Sequence, residues 1–371
     1  MTIDQQLHRS LTDRLDDLSP PAPDLGVVLR KGRSRRRRRQ GTVVAALALV
    51  ASTGLLAAQF GPGALSGLTT QEFQPVGQLD FTGGLRAYMS PDPDGEISLG
   101  GRTFPAGDLD YIDTDATATP YGMVFFDGDE RPFLLKETGR QEALAPTPEE
   151  NPKGHPSSKA DAALPLAAWT EGTEGGLTVR LYDLSTGRTV ATRTVPCDGK
   201  ACEQVKIDAL DQGMVFVRTG DGTFVWDPAA EGDAAWTAFS GPETRVADVR
   251  NKRVLHTGPA PAPDPAGPVD DSWSFTKGEI DAQLSFDGEH VLYWSTTLEP
   301  TTPDGKPVRL DVKAGEWAFV TFDTDGSVLV ATNGPDLSST VFDCELPSGK
   351  CARLGRMSTR NGDPIFVGND M

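Results

Sequence analysis

The chain has 371 residues, 53 acidic against 35 basic, and a formal net charge of −18. The charge is unevenly placed: residues 1–40 hold ten Lys and Arg against five Asp, a net of +5, so the uncharged residues 41–60 leave −23 to residues 61–371. An acidic body of this kind excludes nucleic acid and anionic lipid as its partner, because both would be repelled.

In chain order, the first expected element is an amphipathic helix over residues 2–18. Ile3, Leu7, Leu11, Leu15 and Leu18 recur at spacings of three and four, and Thr2 with Gln5 reads as a capping box. Ser19-Pro-Pro-Ala-Pro23 ends it. Such a helix suits the inner membrane face or, as a sharper alternative, a docking site for a cytoplasmic partner.

Seven of the nine residues from Lys31 to Arg39 are basic, and twenty residues without a charge follow, Gly41 to Phe60. At about 1.5 Å rise per residue, that length matches a hydrocarbon core of about 30 Å. The basic flank places the N-terminus in the cytoplasm and the remainder outside. The expected division is therefore a cytoplasmic arm (1–40), a transmembrane helix through membrane lipid (41–60), a linker (61–79) and an extracytoplasmic body (80–371). A cleaved secretory signal, with a small-residue site at Ala64-Leu-Ser66, is the competing reading.

From about Asp80 short β-rich segments dominate. Tyr121–Phe126, Gly176–Tyr182, Gly213–Val217, Thr223–Trp226, His290–Trp294, Trp317–Phe322 and Ser327–Ala331 read as strands. Asp-Gly turns adjoin them at Asp127-Gly128, Asp221-Gly222, Asp287-Gly288 and Asp325-Gly326. A second turn type, Gly followed by a basic residue, occurs at Gly139-Arg140, Gly187-Arg188 and Gly349-Lys350. Gly139 to Gly187 is 48 residues, Gly187 to Gly232 is 45 and Gly305 to Gly349 is 44. A strand pattern with a period in the forties indicates propeller blades. The expected fold is all-β: a β-propeller of about six four-stranded blades, with seven as the alternative. The long gap from Gly232 to Gly305 reads as holding an inserted Pro-rich loop, Gly258–Pro268, and Ala145–Ser158 as a flexible connection. A strand near Pro364–Val367 is placed to close the ring on an N-terminal blade.

Leu181-Tyr-Asp-Leu-Ser-Thr-Gly-Arg188 resembles the outer hairpin of bacterial WD40-like and TolB-like propellers. Ser285-Phe-Asp-Gly-Glu-His-Val-Leu-Tyr-Trp294 is similar to their Ser-Pro-Asp-Gly repeat, with Phe in place of Pro. The layout resembles actinobacterial membrane-anchored propeller proteins over residues 80–370. That resemblance implies a fold and a binding role toward a protein, peptide or glycan, and no reaction.

Cys197 with Cys202 and Cys344 with Cys351 each bracket a short turn, and outside the cytoplasm they are expected to form two hairpin-closing disulfides. Neither Cys-x-x-Cys spacing nor neighbouring His supports a metal. No cofactor is expected; structural calcium at Asp108, Asp110 and Asp115 is the one metal possibility the sequence raises. The four histidines, His8, His155, His256 and His290, come without a nucleophile elbow, so no catalytic residue is assigned. Six tryptophans at 169, 226, 236, 273, 294 and 317 read as blade packing before sugar stacking. The readings competing with a binding module are a propeller glycoside hydrolase and a transmembrane sensor acting through the N-terminal helix. Oligomeric state is left open by the sequence.

Overall fold

A computed structural model describes residues 84–89, 96–105, 116–127, 130–146, 157–173, 176–259, 271–274, 282–293, 299–302, 305–312, 318–334, 337–358 and 365–367. The chain divides into two compact units, 1–59 and 60–371, and every described residue belongs to the second. The expected arm, span and linker (1–79) lie outside the described residues, as do Asp108, Asp110, Asp115 and residues 260–268 of the Pro-rich loop. Among the described residues no helix is long and apolar enough to cross a membrane.

The described residues form seven sheets, taken here as blades 1 to 7. Blade 1 holds β1 (Tyr88–Met89), β2 (Glu96–Leu99) and β3 (Arg102–Pro105). Blade 2 is β4 (Thr117–Thr119), β5 (Gly122–Phe126), β6 (Pro132–Leu135) and β7 (Gln141–Ala143). Blade 3 is β8 (Ser158–Ala160), β9 (Leu166–Thr173), β10 (Gly176–Asp183) and β11 (Arg188–Pro196). Blade 4 is β12 (Lys206–Asp211), β13 (Met214–Thr219), β14 (Gly222–Trp226) and β15 (Trp236–Ser240). Blade 5 has β16 (Arg245–Arg250), β17 (Arg253–Thr257) and β18 (Asp271–Ser274); blade 6 has β19 (Ala282–Leu284) and β20 (Val291–Tyr293). Blade 7 is β21 (Ala318–Phe322), β22 (Val328–Asn333), β23 (Ser338–Cys344) and β24 (Cys351–Ser358).

The ring closes as the sequence suggested. The last strand, β25 (Ile365–Phe366), pairs antiparallel with β1, Phe366 opposite Tyr88, and supplies blade 1 with its innermost strand. Joining the first and last described strands within one sheet leaves no open seam between first and last blades. The innermost strands β4, β8, β12, β16, β19, β21 and β25 contact one another in succession from blade 2 round to blade 1.

Packing follows from the strand pattern. In β5 all of Gly122-Met-Val-Phe-Phe126 is buried, because a strand between two blades has no solvent face. Met123 and Phe125 enter the core shared with blade 1, while Val124 and Phe126 enter the core shared with blade 3. Equivalent cores join blades 3 and 4 through Val179 and Trp226, 4 and 5 through Phe216 and Val249, and 5 and 6 through Leu255 and Val291. Val320 with Leu292 joins 6 to 7, and Phe366 with Leu329 joins 7 to 1. Burying one such large side chain contributes roughly 2–3 kcal/mol.

The count of seven takes the alternative over the leading expectation of six. Blade 1 was illegible because β1 is two residues long. The gap after Gly232 contains blade 5 and most of blade 6, where the sequence suggested an inserted Pro-rich loop and, at His290–Trp294, the one strand that appears as β20. These blades also depart from four antiparallel strands: β18 pairs parallel to β17, and among the described residues blade 6 continues from β20 through bridges at Thr301 and Pro307. Ser158, expected in a flexible connection, is buried in β8.

Candidate functional site

Inner strands begin at one end of the ring, here the mouth, and finish at the other, the turn end, where those of blades 2 to 7 fold back into the second strand of their blade and β25 ends opposite the start of β1. At the turn end one device recurs three times. Asp161, just after β8, accepts from the Ala163 and Leu164 amides at 2.8 and 3.0 Å and, from the next blade, the Gly213 amide at 2.8 Å. Asp211, last in β12, accepts from the Asn251 and Lys252 amides of blade 5 at 2.9 and 2.8 Å. Asp323, just after β21, accepts from the Leu85 and Arg86 amides of blade 1 at 2.9 and 2.7 Å. Each carboxylate thus clasps the turn of the following blade. The turns present their amides by adopting left-handed backbone: φ is 51° at Gln212, 49° at Asn251 and 47° at Arg86. Burial outweighs these hydrogen bonds and pushes Asp161 and Asp323 up to about 6, and it also raises Asp211.

Arg250, last in β16 and 6% exposed, bridges the same end. Its Nη1 donates to the Ala160 carbonyl in blade 3 at 2.6 Å, reaching past blade 4. Its Nε lies 3.3 Å from Asp248 Oδ1, and its guanidinium carbon 4.9 Å from the ring centre of Phe286 in blade 6. Asp248 Oδ2 in turn accepts from the Leu284 amide of blade 6 at 3.1 Å. A planar donor fork suits this multi-blade bridge better than an ammonium would.

Near the mouth the polar groups differ. Asp208 is the extra residue of a bulge in β12, between Ile207 opposite Val217 and Ala209 opposite Phe216. Bulges re-aim side chains, and the Asp208 carboxylate meets Arg218 Nη2 at 3.3 Å and the Thr223 hydroxyl at 3.2 Å. Burial pushes Asp208 up to about 6, against the charges of Arg218, Lys159 and Arg245. Hydroxyls link neighbouring blades here: Thr117 with Ser158 at 2.8 Å, and the Ser157 Oγ with the amide of Ile207 at 3.0 Å.

Both expected disulfides form, but only one closes a hairpin. Cys344 ends β23 directly opposite Cys351 at the start of β24. Cys197 follows β11, and Cys202 lies in the short 3-10 turn Gly199–Gln204, so this bridge closes the crossing from blade 3 to blade 4. Trp169 and Trp226 are buried in blade cores, and Trp236 stacks on Phe224 with Arg193 over its ring. Trp294 and Trp317 lie outside the described residues, as do His8 and His155. His256 is 2% exposed in β17, and burial lowers its pKa against hydrogen bonding with the Thr257 and Gly258 backbone. Sequence reasoning found no clasp and missed Asp208, whose signals lie in pairing register and three-dimensional neighbours.

The chain matches no family model and no curated protein. It is similar in structure to TolB from Acinetobacter baumannii, at 14% identity over 76% of this chain and 66% of that one, TM-score 0.38. It is also similar to a prolyl endopeptidase, at 10% identity over 91% of this chain and 56% of that one, TM-score 0.44. A protein from Lactobacillus plantarum is similar at 13% identity over 75% of this chain and 97% of that one, TM-score 0.39. The chain therefore spans less than two thirds of the first two, and its propeller fold rests on its own strand order and blade packing.

Proposed function

We propose that this chain is a single-pass, extracytoplasmic propeller that acts as a binding or scaffold module for a protein, peptide or glycan. The carrying observation is the assignment of inner-strand polar groups at the turn end: Asp161, Asp211, Asp248, Asp323 and Arg250 all hold blades to one another. Groups engaged in this way serve a rigid platform, and recognition then falls to the mouth and its loops. Leu85 and Arg86 lie at the turn end, so the described chain enters the ring there. Two local disulfides agree with an oxidising location.

The test uses the full chain with one epitope at each terminus. Protease added to intact cells should remove the C-terminal epitope and spare the N-terminal one; a protected C-terminal epitope refutes the topology. Turnover on a glycoside panel that disappears when mouth carboxylates are mutated would refute the binding reading.

A further inference from the structure

The crossings from one blade to the next at the mouth differ in length. From the outer strand of blade 4 to the inner strand of blade 5 the chain uses four residues, Gly241 to Thr244. From blade 3 to blade 4 it uses nine, Cys197 to Val205. Both crossings lie at the mouth, because antiparallel order brings each outer strand back to the end where inner strands begin. The extra length between blades 3 and 4 builds no core. Asp198 to Ala201, Glu203 and Gln204 are exposed, and the 3-10 turn Gly199–Gln204 contains no buried residue.

The disulfide is the main fastening of this segment. Its turns make two backbone hydrogen bonds, from the Ala201 amide to the Asp198 carbonyl at 2.9 Å and from the Val205 amide to the Cys202 carbonyl at 3.1 Å. The 3-10 turn has no side-chain cap. Cys197 and Cys202, both half-buried, pack onto the core between blades 3 and 4 that contains Leu177, Val195 and Val205. The other bridge is placed differently. Cys344 is 0% exposed in the core of blades 6 and 7, and six further residue pairs of β23 with β24 hold its hairpin in register. Cys351 is half-buried, but attack on its sulfur must expel the Cys344 thiolate into an apolar core, where a charge is disfavoured. Attack at Cys197 or Cys202 expels a sulfur on an exposed segment instead.

We propose that Cys197–Cys202 is a reversible redox site, opened by an external dithiol and closed by an external disulfide, that sets whether residues 198–204 are fastened at the mouth of blades 3 and 4. One thiolate of the dithiol attacks the Sγ of Cys197 or Cys202, the S–S bond breaks, and its electron pair leaves on the other cysteine sulfur. The second thiol then displaces the protein sulfur from the mixed disulfide. The dithiol departs as a disulfide, having supplied two electrons and two protons, and both cysteines end as thiols. Opening leaves nine residues where the next crossing needs four, held by two turn hydrogen bonds. Reducing Cys344–Cys351 would leave a paired hairpin in place. The chemistry stands on the geometry of the crossing; its consequence for recognition at the mouth rests on the binding-module reading.

The test treats the full chain in detergent with dithiothreitol under native conditions, followed by timed alkylation and peptide mass spectrometry. Cys197 and Cys202 should be labelled about tenfold faster than Cys344 and Cys351, or faster still. Hydrogen exchange at the Ala201 and Val205 amides should then accelerate about tenfold or more, while exchange at the Glu345 amide stays as in the oxidised chain. Excess oxidised glutathione should restore both the Cys197–Cys202 pair and the slow exchange. A chain carrying Cys197→Ser and Cys202→Ser should exchange fast at Ala201 and Val205 without any reductant. Reduction of the unaltered chain decides the matter even if that variant does not fold. Labelling of Cys344 and Cys351 at an equal or greater rate, unchanged exchange at Ala201 and Val205, loss of protection throughout the propeller on reduction, or failure of the pair to re-form each overturns the proposal. Each of these results leaves the binding-module reading standing, which falls instead to turnover abolished by mouth-carboxylate mutations.

Discussion

Replacing Asp323 by Ala tests the ring closure. The substitution takes from the Arg86 amide its acceptor at 2.7 Å and from the Leu85 amide its acceptor at 2.9 Å, though Leu85 keeps the Thr324 hydroxyl at 3.1 Å. Losing bonds of this kind costs about 1–3 kcal/mol each. Burial outweighs these bonds and raises the carboxyl from 3.8 to about 6, so at neutral pH the ionised form is disfavoured relative to the neutral one by roughly 3 kcal/mol. The folded-state pKa is the higher one, so the stability linked to this group is full below 3.8 and is lost as pH rises through about 6. At pH 5 the wild-type chain has recovered roughly 1 kcal/mol that the Ala chain cannot recover. Guanidinium unfolding followed by tryptophan fluorescence at the two pH values reads the difference. The deficit of Asp323→Ala should grow by roughly 1 kcal/mol on going from pH 7.5 to pH 5. A deficit that is constant, or larger at pH 7.5, refutes the assignment of a buried, reluctantly ionised clasp.

Three further outcomes follow from the same geometry. Asp161 and Asp208 also stand at about 6 and Asp211 is raised too, so with Asp323 they should outweigh the opposing effect of buried His256 and make the wild-type domain more stable at pH 5 than at pH 7.5, by a few kcal/mol; a fall over that interval in urea melts would contradict it. Replacing Cys344 and Cys351 by Ser should lower stability by about 2 kcal/mol, as the entropy of so short a loop implies. Peptide mapping of the native chain should find only Cys197–Cys202 and Cys344–Cys351, and a crossed pairing would refute the blade assignment. Deleting residues 365–371 removes the inner strand of blade 1 and Phe366, which is 1% exposed; cooperative unfolding should be lost, and a transition unchanged in midpoint would show that the ring does not depend on this closure.

The turn residues made most of the fold legible. Gly139, Gly187 and Gly349 have φ of 79°, 67° and 69°, and each turns the third strand of a blade into the fourth, which explains their recurrence once per blade. Gly232 and Gly305 occupy the same connection in blades 4 and 6. The period faltered between them because blade 5 takes its third described strand in parallel, after an interruption that carries no turn signal of the usual kind. The clasps were illegible for a different reason. Asp323 and Arg86 are 237 residues apart, and a carboxylate whose partners are main-chain amides leaves no trace in the partner's identity. Asp161 and Asp211 look in sequence like any turn aspartate.

Partner type also separates the inner-strand carboxylates by role. Asp161, Asp211, Asp248 and Asp323 accept from backbone amides of another blade, so their geometry is fixed by the fold. Asp208 meets the side chains of Arg218 and Thr223 instead. Side-chain partners can swing, exchange one anion for another, and be replaced without disturbing a turn. Blade 3 supports the distinction: the hydroxyl pair Ser158–Thr117 joins neighbouring inner strands near the mouth without any charge. A buried carboxylate is therefore not required for blade contact at that level. Its presence in blade 4, on a bulge and against Arg218 of the same blade, belongs to that blade's own mouth and not to the joining of the ring.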